Sequence, residues 1–165
     1  MATRKSKTRS VKKRKAAPAR KAKAQKRPVR KDPENLRLRA FMPGITVNDL
    51  ARSVAFYEGV LRFHVSDRWI QDGKLVGVML RAGTCEMGLS QDDWAKGRDR
   101  TKGVGVRIWC DTTQDIDALA ARVRAAGHAL SEGPKDQAWG TRDFSVDDPD
   151  GFHLTFSRKL KKARG

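Results

Sequence analysis

The chain has little that would brace it covalently or carry it into a membrane. Its two cysteines, Cys85 and Cys110, have neither the density of a disulfide scaffold nor the paired spacing of a metal motif. Both lie in apolar runs, where a thiol is usually a small buried hydrophobe, and we give them no redox role. No run approaches the roughly 18 consecutive apolar residues of a membrane span, and the N-terminus lacks the apolar segment of a secretory signal. These absences point to a cytoplasmic protein without a membrane partner. Acidic residues are nearly missing from the first 33 positions, which hold 15 basic residues against Asp32 alone. Positions 34–158 hold 17 basic and 18 acidic residues and the last seven hold four basic ones, so the net charge of +17 belongs to the ends of the chain.

From Thr3 to Lys31 only Val11 and Val29 are larger apolar residues, so nothing offsets the entropy of ordering the segment, and residues 1–34 read as a disordered basic tail. Its clusters, Lys12, Lys13, Arg14 and Lys15, then Lys26 and Arg27, are separated by Pro18 and followed by Pro28. Dense cations of this kind bind polyphosphate by releasing its counterions. The expected partner is nucleic acid without sequence preference, which would associate the protein with the nucleoid; a solvated arm that binds nothing is the alternative. With no aromatic interleaved for base stacking, single-strand readout is not expected. Residues 159–165 read as a second basic tail.

Residues 35–158 are long enough for one domain with a real core, and their apolar segments recur in the same order twice. Phe41 to Val47 reads as a strand. Asp49 then caps a helix carrying Leu50, Val54 and Tyr57, and strands follow at Arg62 to Trp69, Leu75 to Leu80 and Cys85 to Leu89. The order restarts with a strand at Val104 to Cys110 and a helix with Ile116, Leu119, Ala120 and Val123 on one face, closed by Gly127. Strands near His128 to Leu130, at Arg142 to Val146 and at Phe152 to Phe156 complete it. The fold class is α+β, with two βαβββ modules at about 37–90 and 102–158.

Strand alternation divides each sheet into two faces. Phe41, Ile45, Val47, Cys85, Met87, Leu89, Val104, Val106, Ile108, Phe152, Leu154 and Phe156 fall on the face expected under the helices. The opposite face carries Met42, Gly44, Thr46, Glu86, Gly88, Ser90, Gly105, Arg107, Trp109, His153, Thr155 and Ser157. Such a face is either solvated surface or the lining of a cup for a semi-polar small molecule.

The run Val47 to Tyr57 with Val60-Leu61-Arg62-Phe63, and the run Trp139 to Gly151 ending Asp147-Asp148-Pro149-Asp150-Gly151, resemble the first-module signature and last hairpin of the vicinal oxygen chelate superfamily. The likeness is closest to its glyoxalase-like, bleomycin-resistance branch. Arg62 stands where the family usually has Gly, so the helix is expected to end without a left-handed glycine cap. The resemblance implies paired modules enclosing a cavity, in a homodimer, and a divalent metal held on the first and last strands of each module. Carried over position by position, those metal slots fall on Met42, Gly88, Gly105 (or a neighbour, given a small insertion before the second helix) and Thr155, none an ordinary ligand for a hard or borderline ion. The expectation is therefore a metal-free binding protein without cofactor. Met42, Glu86, Arg107, Trp109, Trp139, His153 and Thr155 are its candidate ligand contacts, with Trp94 and Phe41 as further stacking surfaces. The alternative is a lyase, isomerase or dioxygenase-type enzyme with Glu86 or His153 as general base and a weak metal site. His64 and His128 read as surface residues.

Overall fold

In a computed structural model of the protein, which describes residues 38–161, the chain enters its first helix through Asp49, whose carboxylate accepts from the Arg52 backbone N–H at 3.0 Å. That side-chain acceptor satisfies a donor that the first helical turn leaves free. The basic tail, with Lys12, Lys13, Arg14, Lys15, Lys26 and Arg27, lies outside the described residues. Helix α1 (Leu50–Val54) runs on as a π-helical segment, Ala55–Val60, closed by Leu61 N–H donating to Phe56 O at 3.1 Å. The wider turn puts Phe56, Tyr57 and Val60 into the core. Arg62 then adopts φ 66°. The left-handed position that glycine usually fills is thus present, and the exposed arginine itself adopts it.

Strands β1 (Gly44–Val47), β2 (His64–Gln71), β3 (Lys74–Ala82) and β4 (Cys85–Gln91) form one sheet in the order β1-β4-β3-β2. Strands β5 (Arg107–Asp111), β6 (Glu132–Asp136), β7 (Thr141–Asp147) and β8 (His153–Lys159) form the second, in the order β5-β8-β7-β6. In each sheet the first and last strands of the module pair in parallel and the other pairs are antiparallel. Helix α2 (Ile116–Ala125) lies between β5 and β6, capped by Asp115 accepting from Ala118 N–H at 2.9 Å. Its buried residues are Ile116, Leu119, Ala120 and Val123, and Gly127 at φ 84° follows its end. The βαβββ order therefore occurs twice, as the sequence pattern indicates.

The helix-facing sides of both sheets meet in one apolar core that includes Val47, Leu89, Val146 and Leu154, each fully buried. Several expectations need correction. Phe41, Val104 and Val106 are 86%, 75% and 44% exposed instead of packed, because β1 begins only after Pro43 and residues 103–106 form a turn. Gly103 and Gly105, at φ 74° and 73°, make that turn, which Val106 N–H closes onto Gly103 O at 3.1 Å. Cys85, read as a small buried hydrophobe, is exposed at the start of β4, where the β3–β4 turn ends. Residues 128–130 are not a strand: His128 N–H bonds back to Val123 O and its ring packs against the edge of Phe56 at 4.8 Å between centroids. Its place is taken by β6, a polar run containing Pro134 that fits an edge position, where a missing N–H breaks no ladder. The last strand, β8, runs to Lys159, and Leu160 N–H donates to Gly140 O at 2.9 Å.

Polar contacts join the two modules. The buried Tyr57 hydroxyl donates to Asp148 Oδ2 at 3.0 Å, while Asp148 Oδ1 accepts from Asp150 and Phe152 N–H in the β7–β8 turn. Burial raises the Asp148 carboxyl above its ordinary range and pushes the Tyr57 phenol up as well. In the connection between modules, buried Asp92 pairs with Lys102 and with Arg100 at 2.8 Å, and the Lys102 hydrogen bond holds its carboxyl at about 2. No helix among the described residues is long and apolar enough to cross a membrane.

The left-handed conformation of a side-chain-bearing residue costs about 1 kcal/mol, and Arg62, which adopts it, is exposed, so little packing is lost with its side chain. Replacement by Gly, Arg62→Gly, is expected to raise the urea-unfolding free energy by up to about 1 kcal/mol. A loss of stability would contradict this account of the helix end.

Candidate functional site

With one side of each sheet committed to the core, the chemistry lies on the other. On the first sheet this open face is unusually bare, because Gly44, Gly77 and Gly88 sit side by side through the register Gly44↔Gly88 and the neighbouring pair Gly77↔Ser90. The indole of Trp69, on β2, lies across the gap. A Cβ added at Gly77 would come within 2.2 Å of Trp69 Cε3, and one added at Gly88 within 3.1 Å of Trp69 Cη2. The ring is half-buried. Nothing in the sequence around Trp69 marked it beyond its place at the end of a strand. The signal was the pair of glycines, at positions 77 and 88, that only cross-strand register brings beneath it.

Beside the indole, Arg81 Nε donates to Glu86 Oε1 at 2.9 Å and Nη2 reinforces the pair. Glu86 is therefore an ion-paired carboxylate, with its charge balanced within its own hairpin. Met42, 54% exposed, precedes β1 and lies outside the sheet.

On the second sheet the open face is built in rows set by the registers of β5, β8 and β7. Arg107 lies opposite His153, and His153 opposite Asp147; the His153 Nδ1 to Asp147 Oδ1 distance is 2.6 Å. In the next row are Trp109, Thr155 and Ser145, with Ser145 Oγ and Thr155 Oγ1 bonded at 2.9 Å. The third row is Asp111, Ser157 and Asp143, where Ser157 Oγ donates to Asp143 Oδ1 at 2.6 Å. Trp109 is 49% exposed, whereas Thr155, Ser145, Ser157 and Asp143 are buried. Asp143 and Ser145 belong to this face as members of β7, although the sequence pattern had directed attention to β5 and β8 alone.

The remaining candidates stand apart. Trp139 is 64% exposed in the β6–β7 turn, and Phe41 precedes β1. Trp94 belongs to the inter-module connection, with the Arg98 guanidinium 4.8 Å from its ring centroid and the Lys102 ammonium 5.7 Å away. His64 is exposed and His128 half-buried. One cleft, of about 380 Å³, lies between β1 and the segment before β5, lined by Pro43, Thr46, Lys102, Val104 and Val106. Another, of about 660 Å³, lies on the helical side between Arg52, Phe56, His128, Leu130 and Pro149. Neither contains Trp69 or Trp109, and the rows of the open faces carry the denser chemistry.

The metal slots can be tested against this geometry. Gly44 pairs with Gly88 and Trp109 with Thr155, so two residues earlier Met42 is the counterpart of Arg107. The slot expected at Gly105 falls in the turn before β5 and passes to Arg107. A thioether, a glycine roofed by an indole, a guanidinium and a hydroxyl tied to Ser145 do not form a ligand set for a divalent cation. Among the described residues no three His, Cys, Asp or Glu side chains converge on one point.

Comparison with known proteins gives a single consistent result. A family model described as the Glyoxalase/Bleomycin resistance protein/Dioxygenase superfamily matches residues 38–156. No curated protein matches. Among solved structures, TioX from Micromonospora sp. ML1 is 21% identical, with TM-score 0.61, over 73% of this chain and 98% of that one. A hypothetical protein, SA1046 from S. aureus, is 23% identical, with TM-score 0.60, over 74% and 95%. Lactoylglutathione lyase from Agrobacterium tumefaciens is 18% identical, with TM-score 0.55, over 74% and 95%. At these identities the likeness is one of fold.

Gly77→Ala puts a methyl group into the space of Trp69 and within 2.8 Å of the Leu89 carbonyl oxygen. Such overpacking is expected to lower the unfolding free energy by about 1–3 kcal/mol and to alter the near-ultraviolet circular dichroism of the folded protein as the indole moves. An unchanged spectrum and stability would show that Trp69 does not rest there.

Proposed function

Because the chain belongs to the Glyoxalase/Bleomycin resistance protein/Dioxygenase superfamily, we propose that it binds a planar, semi-polar small molecule on the open faces of its sheets, without a resident metal. The observation that carries this reading is the placement of Trp69 over Gly77 and Gly88. An indole lying where the fold would otherwise present a metal ligand turns a coordination position into a stacking surface. Trp109 offers a second indole on the other sheet, half exposed beside the short hydroxyl side chains of Thr155 and Ser145.

The polar groups supply orientation. Arg107 makes no ion pair among the described residues and faces His153 across the β5–β8 ladder, so it is available to a carboxylate, carbonyl or phosphate edge of a ligand. His153 is fixed through Nδ1 by Asp147, which leaves Nε2 as the ring nitrogen for hydrogen bonding outward. Glu86, paired with Arg81 and two residues before Gly88 on β4, borders the Trp69 surface.

Removal of one stacking partner weakens binding by the worth of an aromatic contact, about three- to tenfold. Titration of the full chain with 1-naphthalenemethanol, followed by ligand-observed nuclear magnetic resonance, is expected to show that loss in Trp69→Leu and again in Trp109→Leu, with the thermal melting curve retained. Wild-type affinity in both variants would defeat the reading.

A further inference from the structure

The open face of the second sheet holds two polar atoms that are cut off from solvent and have no partner among the described residues, Asp143 Oδ2 and Thr141 Oγ1. They belong to residues two apart on β7, so both side chains project from the same side of the strand. That side is the one away from α2: the intervening Arg142 bonds Asp117 on α2, and Phe144 and Val146 enter the core. Asp143 is only 2% exposed. One of its oxygens accepts from Ser157 Oγ, and the other accepts from nothing.

A carboxylate has room for about four donors, and leaving a buried acceptor unmet is costly enough that such atoms are rare in folded proteins. The charged groups on neighbouring strands do not meet the need. Lys135, opposite Asp143 on β6, is bonded to Glu132 at 2.8 Å. Lys159 pairs with Thr141 in the β8 register without forming an ion pair among the described residues, and Asp111, opposite Ser157 on β5, carries the same sign as Asp143. Trp109 lies two strands across and one row along from Asp143. With strands about 4.8 Å apart and two residues rising about 6.7 Å, the two Cα atoms lie roughly 12 Å apart, a distance shared between the two side chains, an aromatic ring on the indole and a short side arm.

Building on the stacking reading above, we propose that Asp143 and Thr141 form the recognition site for the ammonium group of an aromatic amine whose ring rests on Trp109. The ammonium donates to Asp143 Oδ2 and to Thr141 Oγ1, both of which then have partners. Ser157 orients the carboxylate by holding Oδ1. An anionic planar ligand is repelled by this carboxylate, and a neutral one, even with a hydroxyl to donate, lacks the charge-assisted bond that the pair gives an ammonium.

Two probes of the same shape separate the contributions: 1-naphthylmethylamine, an ammonium at neutral pH, and 1-naphthalenemethanol. On the full chain the amine is expected to bind about tenfold more tightly, as a charge-assisted hydrogen bond to a shielded carboxylate implies. Asp143→Asn, nearly isosteric, is expected to bring the two within about twofold, almost wholly by weakening the amine, with the alcohol changed by less than about twofold. Thr141→Val keeps the carboxylate and serves if Asp143→Asn does not fold; it is expected to weaken the amine about threefold and the alcohol by less. Equal binding of both probes by the wild type, or a preference for the amine that both variants retain, overturns the proposal and leaves the stacking reading standing. Failure of both probes to bind defeats both.

Discussion

The indole of Trp69 can rest on the first sheet only because Gly77 and Gly88 present no side chain there. The margin is small, since a single added carbon at Gly77 would overlap the ring. A side chain at Gly88 would meet the edge of the same ring, its Cβ 3.1 Å from Trp69 Cη2, so a ligating group there would have to shift the indole. The second sheet is less crowded. Thr155 is small, buried and bonded to Ser145, and the bulk on that face is supplied by Trp109 from the adjacent strand.

Holding two such faces steady is the work of contacts on the opposite, helical side. Tyr57 reaches out of the π-helical segment to Asp148, which in turn fixes the β7–β8 turn by accepting two backbone N–H groups. The π turn matters here because it shifts the phase of the helix at its end, bringing Phe56, Tyr57 and Val60 together into the core. Asn48 N–H adds a bond to Asp150 from the other end of β1. Buried Asp92, held by Lys102 and Arg100, anchors the connection through which the second module follows the first. The open faces can therefore remain sparse and polar, since little of the fold's stability is asked of them.

What the sequence disclosed was what depends on near neighbours. Asp49 and Asp115 mark helix starts because a capping carboxylate must lie within three residues of its donor, and the buried face of α2 follows from helical spacing alone. The repeat of strand and helix order, and the resemblance of the first-module and last-hairpin motifs, were enough to place the superfamily. What escaped was set by distance along the chain or by weak local pattern. The Glu-Gly-Pro-Lys-Asp run of β6 has no apolar alternation, so the preceding His128 to Leu130 looked the better strand. Trp69 meets its glycines 8 and 19 residues away, and Asp143 owes its shelter and its one hydrogen bond to Ser157 on the next strand. The slot read at Gly105 moved to Arg107 only once the β5–β8 register was known.

The central claim is that an indole, not a coordinated ion, occupies the working position of the first sheet. Equilibrium dialysis of the untagged full chain against zinc and nickel at neutral pH, with the metal content measured by mass spectrometry, tests it most directly. The account predicts no ion retained in proportion to the protein. One tightly held ion per chain, lost on replacing a residue of the open faces, would contradict it.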